Sequence, residues 1–136
     1  VGRANLDGTG GDVDFINPGG AGTAVHMMLD ATHIYWADPF TPSIGRAGLD
    51  GSDVDGSFIT GGGDFYPLAV ALDATYVYFA DQGSSGPPAW VGRALLDGTS
   101  PEPTWIENGQ PTFVLVGPEA LYWAESYDGT IGRLLF

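Results

Sequence analysis

Runs of four to seven apolar residues recur along the whole chain, each bounded by Gly, Asp or Pro. Val, Ile, Phe, Tyr and Trp dominate the runs, and these residues fit a pleated, half-buried strand. With 22 glycines and 10 prolines interrupting it at short intervals, the chain has little room for helices. The pattern predicts an all-β protein made of many short strands.

The runs are periodic. Val1-Gly2-Arg3-Ala4-Asn5-Leu6-Asp7-Gly8-Thr9 returns as Ile44-Gly45-Arg46-Ala47-Gly48-Leu49-Asp50-Gly51-Ser52 and as Val91-Gly92-Arg93-Ala94-Leu95-Leu96-Asp97-Gly98-Thr99. It begins a fourth time at Ile131-Gly132-Arg133. A second string, Ile34-Tyr35-Trp36-Ala37-Asp38, recurs as Val77-Tyr78-Phe79-Ala80-Asp81 and Leu121-Tyr122-Trp123-Ala124-Glu125. An apolar run precedes each of these, and a segment ending in Phe15-Ile16, Phe58-Ile59 or Trp105-Ile106 follows each Leu-Asp-Gly turn.

Each repeat therefore predicts four antiparallel strands: an apolar inner strand, a Tyr-Trp second strand, a Gly-Arg third strand and an outer strand carrying the aromatic. The Asp-Gly pairs between third and outer strands suit tight hairpin turns. Near-continuous apolarity of the inner strand predicts burial on both of its faces. Four-stranded repeats of this length predict β-propeller blades. The expected division is a third and an outer strand in 1–17, full blades in 21–60 and 65–107, and a partial blade in 111–136. That makes thirteen strands and about three blades.

The Tyr35-Trp36-Ala37-Asp38 and Arg3-Ala4-Asn5-Leu6-Asp7-Gly8 strings resemble the YWTD propeller repeats of low-density lipoprotein receptor relatives, and the chain also resembles secreted bacterial repeat proteins that carry the same pattern. Ala37, Ala80 and Ala124 stand where that family has threonine, and its flanking disulfide modules have no counterpart here. The resemblance implies a ring of six blades that takes ligands on one face, a binding or scaffold role, and an extracellular or cell-surface setting. Three blades cannot close such a ring. A homodimer completing six blades is the expected partner arrangement, with the strand of Val1 to Leu6 and that of Ile131 to Leu135 both claiming a third-strand position. The chain opens on Val1 with neither initiator Met nor signal-like segment, which reads as a processed product or a piece of something longer.

Charge narrows the partners. Four basic residues, all arginines of the third-strand position, face 17 acidic ones for a formal charge of −13. Such a surface repels nucleic acid and anionic membranes. Cysteine is absent, so disulfides, thiolate metal sites and thiol nucleophiles are ruled out.

Catalytic chemistry finds few parts. His26 and His33 stand in no metal-ligand spacing, no Gly-x-Ser-x-Gly elbow occurs, and the glycine-rich stretches at 18–22 and 61–63 precede no helix that would bind phosphate. Asp50 to Asp55 lacks the glutamate and flanking helices of a calcium loop. No cofactor or metal is expected. The third-strand arginines and the acids ending the second strands, Arg46 with Asp38, Arg93 with Asp81 and Arg133 with Glu125, are placed to pair or hydrogen-bond within a blade or across to its neighbour, since an arginine fork can satisfy several carbonyls or a carboxylate.

The loops between second and third strands vary most, as do the links from outer strand to next inner strand, and both project from one rim. Phe40, Phe65, Tyr66, Trp90 and Tyr127, with Asp64 and Asp128, are the candidate contacts there for a protein or glycan ligand. A non-enzymatic binding module is the leading reading. The alternatives are a lyase or hydrolase with a site at the central channel and a purely structural half-propeller.

Overall fold

The computed structural model describes residues 1–18, 22–86 and 88–136. Among them, eleven strands form three sheets. The first holds β1 (His26–Leu29), β2 (His33–Asp38), β3 (Ser43–Gly48) and β4 (Asp55–Ile59), and the second holds β5 (Pro67–Leu72), β6 (Tyr76–Asp81), β7 (Ala89–Leu95) and β8 (Glu102–Asn108). The third holds β9 (Pro111–Val116), β10 (Ala120–Glu125) and β11 (Ile131–Leu135). Every strand pairs antiparallel with its neighbours in sequence, so each sheet is a meander, the form of a propeller blade.

The first seventeen residues depart from the expected pair of strands. They form a hairpin tied by one bridge, Arg3 to Asp12, and by the exchange between Val1 and Ile16, without a continuous ladder. The count is therefore eleven strands instead of thirteen. An isolated two-stranded ribbon is marginal without inner strands beside it, and among the described residues none pairs with it.

The second and third strands of every blade meet in the same register. Trp36 lies opposite Gly45, Phe79 opposite Gly92, and Trp123 opposite Gly132. A Cβ added to those glycines would stand 2.2, 2.1 and 2.0 Å from the ring across the ladder. The glycine of the Gly-Arg string thus makes room for an aromatic ring that lies flat on the neighbouring strand. Opposite the first two of these glycines, the ladder to the outer strand slips register.

Alternate residues of a strand face opposite ways, and the blades stack accordingly. Tyr35, Ala37 and Ile44 of the first blade share one buried cluster with Val77 and Phe79 of the second. Tyr78, Ala80 and Val91 on the other face of the second blade share another with Leu121 and Trp123 of the third. On the outer side of the first blade, Trp36 and Ala47 pack with Ile16 of the N-terminal hairpin. Each large apolar side chain buried in these layers contributes roughly 1.5–3 kcal/mol.

Burial of the inner strand on both faces holds only in the middle. β5 is buried along most of its length, whereas β1 alternates between half-buried and exposed and β9 is exposed at Phe113 and Leu115. Apolar sequence allows two-sided burial, but a neighbouring blade has to supply the second side.

Candidate binding face

One rim of the stack is fixed by buried carboxylates that end the second strands. Asp38 Oδ1 accepts the amides of Phe40 and Thr41, each at 3.0 Å, which curls the β2–β3 loop back on itself. Asp81 Oδ1 accepts the amide of Gly83 at 3.0 Å and that of Tyr66, on the incoming link, at 2.8 Å. Glu125 Oε2 accepts the amide of Gln110 on the corresponding link. The acid of the Tyr-Trp-Ala-Asp string is therefore a clamp that ties two loops of one blade together.

The pKa values of Asp38 and Asp81 move in opposite directions. Burial pushes the Asp38 carboxyl up, but hydrogen bonds from Thr41, Thr23 and Phe40 outweigh it and hold the group below the usual range. Burial also pushes Asp81 up, and there the amides of Tyr66 and Gly83 do not cancel it, while the charge of nearby Asp64 adds to the rise.

The expected pairing of these acids with the arginines does not occur. Arg46 lies opposite Tyr35, three ladder positions from Asp38, and Arg93 lies opposite Tyr78, equally far from Asp81. Three strand residues span about 10 Å, so acid and base sit at opposite ends of the blade. Arg3, Arg46 and Arg93 instead cover the aromatic of the outer strand: Arg3 over Phe15 and Arg46 over Phe58 at 3.8 Å, Arg93 over Trp105 at 4.2 Å. Arg93 Nε also donates to Glu102 at 2.6 Å, and Arg46 reaches the Leu96 carbonyl of the next blade. The signal for this arrangement was the Phe-Ile or Trp-Ile ending every outer strand, which supplies the ring.

The candidate contacts divide. Phe40 is 63% exposed and meets the half-buried Tyr66 edge to face, with ring centroids 6.3 Å apart. Beside them Asp64 Oδ1 accepts the amides of Ser84 and Ser85 and the Ser84 hydroxyl at 2.6 Å, and the Ser84 hydrogen bond leads in holding its pKa down. These residues come from the first blade, from the link and from the second blade, and they form one patch. Ser84 and Ser85 left no mark in the sequence, because their partner lies twenty residues away.

Phe65 does not belong to this patch. It is only 2% exposed and stacks edge to face on Phe79 at 5.2 Å, so it seals the seam between two blades. Trp90 lies within β7 itself, opposite Asp81 and Glu107, and is half-buried. Tyr127 is fully outside, and Asp128 spends Oδ1 on the amide and hydroxyl of Thr130 within its own turn. Among the described residues no side-chain hydrogen bond or ring pair joins Trp90, Tyr127 or Asp128 to Phe40, Tyr66 or Asp64. Pro87 in the loop leading to Trp90 and residues 19–21 of the first glycine-rich stretch lie outside the described residues.

Both histidines have partners. His26 Nδ1 accepts the amide of Val70 at 3.2 Å and its ring meets Phe113 edge on, so one side chain touches the inner strands of all three blades. Burial lowers its pKa. His33 contacts the Thr32 hydroxyl through Nδ1. Among the described residues no three His, Asp or Glu side chains gather as a metal site, and the Asp50 carboxylate is taken by the Ser52 amide.

Three stacked meanders with this repeat register define the class: about three blades of a β-propeller. No protein-family model matches the sequence, and no curated protein matches it. Among solved structures, the chain is similar to a chain in the crystal structure of a nidogen/laminin complex, with a TM-score of 0.64 and 24% identity over 85% of this chain. A computationally designed protein, Ika4, is similar with a TM-score of 0.61 and 7% identity over 81% of this chain. The chain spans 48% of the first neighbour and 64% of the second.

Proposed function

We propose that this chain is a YWTD-like, non-enzymatic binding module that takes a protein or glycan ligand on the rim of the variable loops. The observation that carries the reading is the Phe40–Tyr66 pair: a large exposed ring held edge-on by a second ring in a patch whose loops are already clamped. A pre-fixed aromatic loses little conformational freedom on contact and offers a flat apolar surface for a sugar ring or an interface side chain. Asp64, fixed by Ser84 and Ser85, supplies a free lone-pair face beside it for a hydroxyl or amide donor. The recurring Asp, Tyr and Arg side chains are spent on the scaffold, so specificity falls to what the repeats do not share. The origin of the nidogen neighbour in a protein complex supports a binding role.

The test is a screen of the purified chain against a glycan array and an array of extracellular protein domains, followed by affinity measurement on any hit. The Phe40→Ala/Tyr66→Ala double variant is expected to lose at least about tenfold in affinity, worth about 1.4 kcal/mol, with its circular dichroism unchanged. Undiminished affinity in that variant overturns the assignment of the site.

A further inference from the structure

The two ends of the stack carry the two halves of an interface that the chain builds twice in its middle. In both internal seams a face bearing Tyr, Ala and a β-branched residue of the third strand meets a face bearing an apolar residue and a large ring of the next blade's second strand. On the third blade the first kind of face, Tyr122, Ala124 and Ile131, meets no sheet, and a hollow of about 150 Å³ opens there between Phe113, Leu115 and Ile131. Ile44 and Val91, the counterparts of Ile131, are 0% exposed, whereas Ile131 is 76% exposed.

At the other end, the second kind of face on the first blade is covered, among the described residues, by the N-terminal hairpin and Ala24 and by no sheet. Beside the hairpin lies an apolar hollow of about 380 Å³, with Val1 and Phe15 on one wall and Met27, Leu29 and Ile34 on the other. The hairpin stands where third and outer strands would be, so this hollow stands where an inner and a second strand would be.

We infer that a second copy of this chain fills it. Strands β9 and β10 of one copy enter the hollow, and β11 takes the place held by residues 1–6 of the other, whose residues 12–16 remain as the outer strand. Val1-Gly2-Arg3 and Ile131-Gly132-Arg133 hold the same positions in the repeat, so only one can occupy the site. β11 has the stronger claim, because it pairs with β10 over five consecutive residues while the N-terminal segment is held to its partner strand only by the Arg3–Asp12 bridge and the Val1–Ile16 exchange.

Charge agrees with the exchange. Arg46 lies opposite Asp55 and Arg93 opposite Glu102, yet Arg133 has neither a ring beneath it nor an ion pair among the described residues. In the joined blade it covers Phe15 of the partner subunit and faces Asp12 of the partner subunit, in place of Arg3.

A head-to-tail contact of this kind either closes into a ring or runs on as a filament. Two copies give six blades, within the range of four to eight that closes, and three copies would exceed it. The nidogen neighbour, of which this chain spans 48%, is about two copies long.

Sedimentation velocity with light scattering on the 136-residue chain tests the inference. One species of twice the 14.2 kDa chain mass is expected across the micromolar range. A monomer at every concentration, or a ladder of larger masses, overturns it. Removing residues 131–136 is expected to give monomer, and removing residues 1–6 to keep the dimer and tighten it by about tenfold, since the competing strand is gone. The reverse pattern overturns the exchange.

Because a shortened chain can lose its fold for other reasons, a second variant is read independently. The chain contains no cysteine, so Asp12→Cys/Arg133→Cys introduces the only two thiols. Mild oxidation should give a covalent dimer on a non-reducing gel, and exclusively monomeric product overturns the proposal. The ligand face is independent of this contact, so failure here leaves the Phe40 patch standing, and loss of the patch leaves the dimer.

Discussion

Val91 in the second blade and Ile131 in the third hold one place in the repeat, follow the same kind of second strand and precede the same Gly-Arg pair. One is sealed between sheets and the other lies in the open. The same contrast separates Ala71 from Leu115 on the inner strands, which lie opposite the equivalent Tyr78 and Tyr122: Ala71 is buried and Leu115 exposed, because β5 is flanked on both faces and β9 on one. Burial in this molecule is a property of the seam between blades, with the strand supplying only the capacity for it.

The sharpest way to break the middle of the stack is to fill the space under a ring. Gly92→Val should cost about 3 kcal/mol or more in urea denaturation, because its Cβ would stand 2.1 Å from the Phe79 ring with the Pro103 carbonyl 2.8 Å away on the other side. Gly132→Val meets a ring as closely, but among the described residues no outer strand pairs with β11, which can yield, so a smaller loss is expected in the monomer. Equal losses would show that the third blade is as rigid as the second.

Ring deletion comes next. Phe79→Ala removes a ring packed in the first seam and is expected to cost about 3–5 kcal/mol, while Phe113→Ala, 44% exposed, should cost about 1 kcal/mol or less in the monomer. A large loss for Phe113→Ala in the proposed dimer, vanishing when the copies separate, would place that ring in a seam between chains.

The two clamp acids sharpen the comparison further, because their pKa values move in opposite directions from 3.8. For Asp38 the native group binds its proton less readily than the unfolded one, so its contribution is present above about pH 4 and fades as pH falls through the depressed value. For Asp81 the native group holds its proton more readily, so stability is highest with the carboxyl protonated and declines as pH rises from about 4 through the raised value. At pH 7, Asp38→Asn should lose about 1–2 kcal/mol, and Asp81→Asn should stay within about 1 kcal/mol of wild type, with a flatter pH profile. The smallest effect is expected at the rim, where Phe40→Ala should leave stability within about 0.5 kcal/mol, as suits a ring serving a ligand.

Much of the fold was legible because each repeat states the same strands three times. The period, the four-strand blade and the Asp-Gly turns follow from short-range chemistry that any one repeat displays. What stayed hidden depends on distance along the strand or across the seam. Arg46 and Asp38 are on adjacent strands, as their order suggests, but register puts them at opposite ends, and register is not written in composition. Phe65 and Phe40 look alike as loop aromatics, and only the packing of the second blade decides that one is a seal and the other a surface. Asp64 gave no hint of Ser84, since that bond joins a link to a loop twenty residues on.

The ring lying over glycine has a consequence for how such a repeat can change over generations. Neither member of a Trp36–Gly45 or Phe79–Gly92 pair is free to drift alone in every direction: the glycine admits no side chain while the ring is there, but the ring can shrink first. Substitutions are therefore ordered, with loss of bulk on the second strand preceding any gain on the third. Lineages that start with the glycine meet a barrier, and those that start with the ring pass through a loosened intermediate. The second blade carries phenylalanine where the first and third carry tryptophan, yet a Cβ on its glycine would still stand 2.1 Å from that ring, so the smaller aromatic alone opens no room.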